Sequence, residues 1–405
     1  MAEKKPYSML HYRIAQGASW LVSRLIFRVK YKRNHLKYAK GPYVVIANHQ
    51  AALDFVNLIT ATSRPMTFVI SRSFFSTLPV RGFIDKMGVI PKQQFQTTAN
   101  DLKKMKREID AGRSVAIYPA GLMCEDGLTT PIPTATYKFL KWLGVDVYMA
   151  RTRGAYHVMP KWGKGFRPGR THMDIYKLFD AKELAQMPLE IVRERTEEAL
   201  EFDAYREQEK DRSRHMGQSV QGLENVLYRC PHCGMAYTIT TPDKETFLCT
   251  ACGFTAKSDP YGLLVCPAEQ ETKVRYISDW SLQIQQQMEQ ELRSGKLKRL
   301  SCATEILTVH PKKPKFQPTG SGTLTLEKGI LTLEGENDGQ PISIRAEAAA
   351  FPILPFSPGK HLEVQDGNQI YRCRLSDGRQ VMAFIHMLKL SHKLAQEAIH
   401  APQVI

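Results

Sequence analysis

The sequence contains no run of about 18 apolar residues, so no membrane-spanning helix is expected from it. Its first residues, Met1 to Pro6, are followed by His11, Arg13 and Gln16, not by an apolar core with a cleavage site, and no secretory signal is read there. Acidic residues are scarce at the front: Glu3 is the one acid among residues 1–50, against ten lysines and arginines from Lys4 and Lys5 to Lys37 and Lys40. A disulfide framework is not expected either. Of the eight cysteines, Cys124, Cys266, Cys302 and Cys373 stand outside any paired spacing, which fits a reducing compartment, and the expected location is cytoplasmic. The composition, 43% apolar and 24% charged, excludes long disorder and fibrous repeats.

The formal charge of +16 calls for an anionic partner: nucleic acid, an anionic lipid surface or a phosphorylated substrate. Charge alone does not separate the three. Within residues 8–30, Ile14, Leu21 and Leu25 share a helical face, Arg13, Arg24 and Arg28 lie elsewhere, and Trp20 can sit at a polar boundary. Such a segment is either an interfacial helix or a basic helix packed on its own domain.

A chain of 405 residues exceeds one compact core, and the patterning divides it into five parts. Residues 1–39 form a basic amphipathic segment, and residues 40–186 an α/β domain with a mixed sheet flanked by helices. There YVVIAN, MTFVIS, Gly88–Pro91, SVAIYP and VDVYMAR alternate with helical stretches. Residues 187–222 are expected as one long exposed helix over Met187–Lys210 followed by a linker, and residues 223–258 as a zinc ribbon. Residues 259–405 begin with a helix at Trp280–Leu292 and turn to alternating strands, with hairpin signals at Lys328–Gly329 and Asp366–Gly367. They end in a helix carrying Val381, Phe384, Leu388 and Leu394 on one face, an arrangement resembling the PH/GRAM class.

Cys230-Pro-His-Cys233-Gly and Cys249-Thr-Ala-Cys252-Gly, fifteen residues apart, have the spacing of two knuckles closing on one tetrahedral zinc ion. Gly234 and Gly253 stand where the chain must turn tightly. Four thiolates leave no open coordination position, so the expected zinc is structural. His232 is a spare donor, expected to be exposed and not to ligate.

The strand YVVIAN runs into Asn48-His49 and, after four intervening residues, Asp54: the pattern N-H-x-x-x-x-D. A neutral imidazole suits proton abstraction from a hydroxyl near pH 7, and a carboxylate on its other nitrogen fixes the tautomer. Arg81-Gly82-Phe83-Ile84, Gly88 to Lys92, Ser114 to Gly121 and Val158-Met159-Pro160 follow in order. Together these blocks resemble the glycerol-3-phosphate and lysophospholipid (1-acylglycerol-3-phosphate) acyltransferase family over about residues 40–180. The resemblance implies His49 as base and Asp54 as its orienter. It places Lys92, then Arg81, near the acceptor phosphate, with Gly121, Arg151 and Arg153 as further substrate-binding residues. One departure stands out, because Ala120 occupies the place of the family's Glu and Met123 that of a common arginine, with Glu125 and Asp126 just downstream.

The resemblance implies a peripheral membrane acyltransferase that moves a fatty acyl group from acyl-CoA or acyl carrier protein to a lysophospholipid such as 1-acylglycerol 3-phosphate, in phospholipid synthesis. Its partners would be an anionic membrane surface and, through the zinc ribbon or C-terminal domain, a protein. The alternative is a catalytically impaired lipid-binding or scaffolding protein. A nucleic-acid role is disfavoured, because the basic cluster lies far in sequence from Cys230–Cys252.

Overall fold

The computed structural model describes residues 8–92, 99–267, 270, 272, 274–310, 313, 315–367 and 369–400. Lys4 and Lys5 of the basic cluster lie outside the described residues. The chain forms two units, Met1–Gln218 and Ser219–Ile405.

In the first unit the helices are α1 (Met9–Leu25), α2 (Asp54–Ile59), α3 (Arg72–Thr77), α4 (Arg81–Lys86), α5 (Ala99–Asp110), α6 (Ala135–Leu143), α7 (Ala155–Val158), α8 (Ala181–Gln186), α9 (Leu189–Leu200) and α10 (Ala204–Asp211). The strands are β1 (Lys30–Asn34), β2 (Tyr43–Ala47), β3 (Met66–Ser71), β4 (Ile90–Lys92), β5 (Ser114–Ile117), β6 (Asp146–Arg153) and β7 (His172–Phe179). They make one sheet in the order β1-β7-β6-β2-β5-β3-β4. The five strands from β6 to β4 are parallel, and β7 joins β6 antiparallel with β1 beside it. Every residue of β2 and β5 is buried, as central parallel strands require. Val44, Ile46, Val115, Val147 and Met149 pack under α5, α6 and α9, while Val45, Ala47, Ala116, Tyr148 and Ala150 pack against α1 and α2.

The sheet takes in residues on both sides of 40–186. β1 extends it at the edge, and α9 buries Val192, Thr196, Ala199 and Leu200 against its face. The stretch expected as one exposed helix is therefore two packed ones. Phe202 is buried at the break, and the Asp203 carboxylate accepts from the Tyr205 and Arg206 amides to start α10. The expected linker is anchored as well, with Ser213 and His215 buried.

α1 is turned inside out relative to an ordinary amphipathic helix. Tyr12, Ser19 and Ser23 face the protein, the Tyr12 hydroxyl accepts from the Met66 amide, and Gln16 donates to the Ile59 and Thr62 carbonyls. Leu10, Ile14, Trp20, Leu21 and Leu25 are all more than half exposed. Among the described residues, no helix is long and apolar enough to cross a membrane.

The second unit opens with short strands β8 (Ile239–Thr240), β9 (Thr246–Cys249), β10 (Thr255–Ser258) and β11 (Leu264–Val265), a small antiparallel sheet beside the cysteine knuckles. Helix α11 (Ile277–Arg293) follows. A seven-stranded antiparallel sheet then forms from β12 (Arg299–Val309), β13 (Phe316–Glu327), β14 (Ile330–Asn337), β15 (Gln340–Glu347), β16 (Phe356–Ser357), β17 (His361–Asp366) and β18 (Gln369–Leu375). β12 to β15 form a meander, and β18 returns beside β12. The hairpin at Lys328–Gly329 has both residues at positive φ, 49° and 73°, the two-residue turn that matches strand twist. α12 (Gln380–His400) closes this region with Val381, Phe384 and Leu388 buried.

Candidate active site and thiolate cluster

At the end of β2 the chain leaves the sheet in the loop that carries His49. Asn48 fixes the start of that loop: its side-chain amide donates to the Thr152 carbonyl and its oxygen accepts from the Thr152 amide, each at 2.8 Å. The Cys124 amide donates to the His49 carbonyl at 3.2 Å, and the Tyr156 amide donates to the Gln50 side chain at 3.3 Å. His49 thus rests on a loop held from β6, from the 118–124 turn and from α7.

Asp54 opens α2 and is 1% exposed. Its Oδ2 accepts from the Gln50 amide at 2.6 Å and the Ala51 amide at 2.9 Å, and lies 3.2 Å from His49 Nδ1. Two backbone donors thus converge on one oxygen. A carboxylate in that place suits the Nδ1–H tautomer, which leaves Nε2 with its lone pair. The other side of the imidazole meets the Tyr118 ring at 4.4 Å between centroids. Burial and the Asp54 charge push the Tyr118 phenol well above its ordinary value, so it stays neutral.

His49 borders a small pocket lined by Ala47, Asn48, Ala120, Leu122, Thr129, Thr130, Ile132, Leu200 and Phe202. Its far wall comes from the end of α9, where Phe202 is pinned by backbone bonds to the Thr129 hydroxyl. Apart from the imidazole the lining is uncharged. The geometry offers a held imidazole beside a small, mostly apolar space, an arrangement suited to taking a proton from a hydroxyl.

The other sequence-derived candidates fall in different places. Arg151 and Arg153 share one face of β6, the strand next to β2. Each meets a carboxylate of α10: Arg151 and Glu207 at 3.0 Å, Arg153 and Asp211 at 3.8 Å. Two steps along a strand and four along a helix cover nearly the same length, so the pairs fall into register. Burial holds the Glu207 carboxyl above the usual carboxylate range despite Arg151. Lys92 ends β4, three strand spacings from β2, roughly 14 Å across the sheet. Its half-buried ammonium is held below its ordinary value by desolvation. Arg81 begins α4 and is exposed. Gly121, at φ 69°, closes a turn on the Tyr118 carbonyl one residue beyond the cleft-lining Ala120. Glu125 and Asp126 are buried, and Asp126 caps the Leu128 amide.

Three parts of this site were not singled out in the sequence. Tyr118 carried a signal, an aromatic before proline at a strand end. Asn48 sits in the motif, but its bond to Thr152 depends on β2 and β6 being neighbours. Leu200 and Phe202 arrive from a helix whose packing the charge pattern concealed.

Residues 28–164 match the acyltransferase family model. The matched region contains His49, Asp54, Tyr118 and Ala120, while Leu200, Phe202 and α10 lie beyond it. Among solved structures, the 1-acyl-sn-glycerophosphate (LPA) acyltransferase PlsC from Thermotoga maritima is 19% identical, over 47% of this chain and 76% of that one, with a TM-score of 0.40. The Ran-binding domain of Nup2 from Ashbya gossypii is 13% identical over 24% of this chain and 99% of that one, with a TM-score of 0.19. The PH domain of human oxysterol-binding protein-related protein 11 is 13% identical over 26% of this chain and 92% of that one, with a TM-score of 0.17. No curated protein matches the chain.

In the second unit the sulfurs of Cys230, Cys233, Cys249 and Cys252 all lie within 4.8 Å of one another and could bind a metal ion. Cys230 and Cys252 are 3.8 Å apart and Cys233 and Cys249 3.9 Å apart. A tetrahedron with metal–sulfur bonds of about 2.3 Å has edges of about 3.8 Å, which these two separations match, so the chemistry and spacing of the donor set fit zinc. Each knuckle turns through a glycine at φ 72°, Gly234 and Gly253, whose amides return to the Cys230 and Cys249 carbonyls at 3.0 Å. α11 backs the cluster: Trp280 donates to the Arg229 carbonyl, Gln283 to the Pro231 carbonyl, and Arg229 forms a two-pronged pair with Glu291.

Proposed function

We propose that the first unit is a glycerolipid acyltransferase working on a membrane surface, moving an acyl group from the thioester of acyl-CoA or acyl carrier protein to a lysophospholipid hydroxyl. 1-Acylglycerol 3-phosphate is the acceptor to which the sequence resemblance points first. The observation that carries the proposal is the His49–Asp54 pair opening on an apolar cleft inside the family-matched region.

In this scheme the acceptor hydroxyl gives its proton to His49 Nε2 as its oxygen attacks the thioester carbonyl. The tetrahedral intermediate expels the thiolate, which takes the proton back from the imidazolium, leaving an ester and a free thiol. Asp54 steadies the imidazolium through Nδ1 and does not itself become protonated. No acyl-enzyme is needed. The outward apolar face of α1, with the basic residues around it, supports peripheral membrane attachment. Zinc in the cysteine cluster would hold the fold of the second unit and take no part in transfer. A PH/GRAM-like role for the C-terminal sheet, recruiting a partner, belongs to the same proposal.

A second reading, a lipid-binding protein with impaired catalysis, is favoured by Ala120 in the cleft and by the carboxylates already on Arg151 and Arg153. The test is transfer from labelled acyl-CoA by purified full-length protein presented with lysophospholipids. Wild-type turnover lost by about 10² to 10⁴-fold in His49→Ala supports the base assignment. Equal turnover by both proteins discards it, and vesicle binding without turnover on any lysophospholipid favours the second reading.

A further inference from the structure

Two stretches far apart in sequence are drawn to the place where α1 ends. The Gly169 amide donates to the Ile26 carbonyl at 3.1 Å and the Thr171 amide to the Phe27 carbonyl at 2.9 Å, which lace the loop 163–170 to the end of α1. The Met216 amide donates to the Pro168 carbonyl at 2.9 Å, and His215 pairs antiparallel with Gly169, so residues 212–217 run alongside that loop.

Alternation along these stretches decides what faces outward. Ser213 and His215 are buried, so Arg214 and Met216 point to solvent. Arg167 of the loop and Trp162 just before it turn inward, Arg167 lying over the Trp162 ring at 4.6 Å, and Phe166 is left outside. Phe166 is 47% exposed, Met216 59% and Leu25 60%. Arg28 Nη2 reaches Met216 Sδ at 3.5 Å, which joins the end of α1 to the third segment.

The charged residues of these segments have one sign. Arg24, Arg28, Lys164, Arg170 and Arg214 are exposed, and neither 163–170 nor 212–217 contains an acid. Large apolar side chains held in water among cations match the interface of an anionic bilayer, where tails accept the former and phosphates the latter.

We infer that residues 163–170 and 212–217 extend the outward stripe of α1 into one face that lies on an anionic phospholipid bilayer, with Phe166 and Met216 entering its acyl boundary. Arg28, Lys164, Arg170 and Arg214 rest on lipid phosphates. The inference builds on α1 as the membrane-facing helix and is independent of the transfer chemistry.

The test uses the protein with vesicles of phosphatidylcholine alone or containing about 30% phosphatidylglycerol, read by co-sedimentation and by the change in tryptophan emission. Binding to the anionic vesicles should be at least about tenfold tighter and should weaken with salt. Phe166→Ser with Met216→Ser should cost about tenfold in partitioning. Arg170→Glu with Arg214→Glu should remove the preference for anionic vesicles. All four side chains are exposed, and unchanged melting transitions confirm that the variants fold.

If Phe166→Ser/Met216→Ser binds like wild type while Ile14→Ser/Leu21→Ser weakens, the loops are excluded and α1 alone remains. Equal binding to both vesicle types overturns the inference. So does a dimer seen by light scattering that Phe166→Ser/Met216→Ser abolishes, which would assign the patch to self-association. Transfer in detergent, assayed on the same variants, keeps a failure of the chemistry distinct from a failure of this surface.

Discussion

Replacing Asp54 by Asn separates the proposed chemistry from its scaffolding. Asp54 Oδ2 serves the Gln50 and Ala51 amides and His49 Nδ1 together, at 2.6, 2.9 and 3.2 Å. Asn keeps the size and one accepting oxygen, so the two backbone donors can remain satisfied. It loses the charge that fixes the Nδ1–H tautomer and steadies the imidazolium in the transition state. Weakening two charge-assisted bonds at a buried position costs about 1–3 kcal/mol of stability. Turnover, by contrast, should fall by about 10² to 10⁴-fold, with KM for the acyl donor nearly unchanged, because the loss belongs to the transition state. Steady-state kinetics with labelled acyl-CoA, beside a denaturation curve for each protein, reads both quantities. Asp54→Ala should lose comparable activity and more stability, since the 50–51 turn then has no acceptor. The reasoning is refuted if Asp54→Asn folds with nearly full stability and keeps more than about a third of wild-type kcat while His49→Ala is inactive. The carboxylate would then be a turn-holding group alone.

Purified protein should hold close to one zinc per chain by elemental analysis. Cys249→Ser should lose that zinc and lower the melting transition of the second unit, and a metal-free wild-type protein that melts like the loaded one would refute a structural role. Gly127 sits at φ 83° with the Tyr205 ring only 2.8 Å from where a Cβ would stand, so Gly127→Ala should destabilise the first unit by about 2–4 kcal/mol in chemical denaturation. His157 and His215, buried with rings 5.4 Å apart, are pushed down from 6.5 to about 4 and about 3 by desolvation. The unfolded chain therefore binds more protons below pH 6.5. Stability is fully present above that pH and falls as pH drops towards 4, by about 3 kcal/mol from His157 alone. Denaturation midpoints at pH 7.5 and 4.5 measure this, and a His157→Gln variant with the same slope as wild type would refute the assignment.

Much of the site could be read from residue order because its parts are local. His49 and Asp54 lie on one loop and the first turn of the next helix, and the cysteine knuckles are two tight turns at a spacing that metal geometry dictates. The hairpin at Lys328–Gly329 was legible for the same reason. Asp338–Gly339, also with both φ values positive, carried an equal signal that went unread. What was hidden depends on tertiary neighbours. Met187–Lys210 is charged enough to suggest solvent, yet the buried residues of α9 fall on one face against the sheet, and Glu207 and Asp211 of α10 find Arg151 and Arg153. Nothing in the local pattern of β6 says that its arginines are already paired. The strand β1, KYKRN, has no apolar alternation at all. It joins the sheet as an edge, where backbone pairing with β7 suffices.

The placement of the four tryptophans gives the chain its own optical gauges. Trp280 is wholly buried against Phe247 and Phe254, with its indole N–H on the carbonyl of Arg229, one residue before Cys230. Trp20 stands 56% in water on the outer side of α1. Stripping an ion from the thiolates would thus redden a blue emitter, whereas settling onto lipid would blue-shift a red one. Opposite spectral movements would then report events in the two units from a single unlabelled sample.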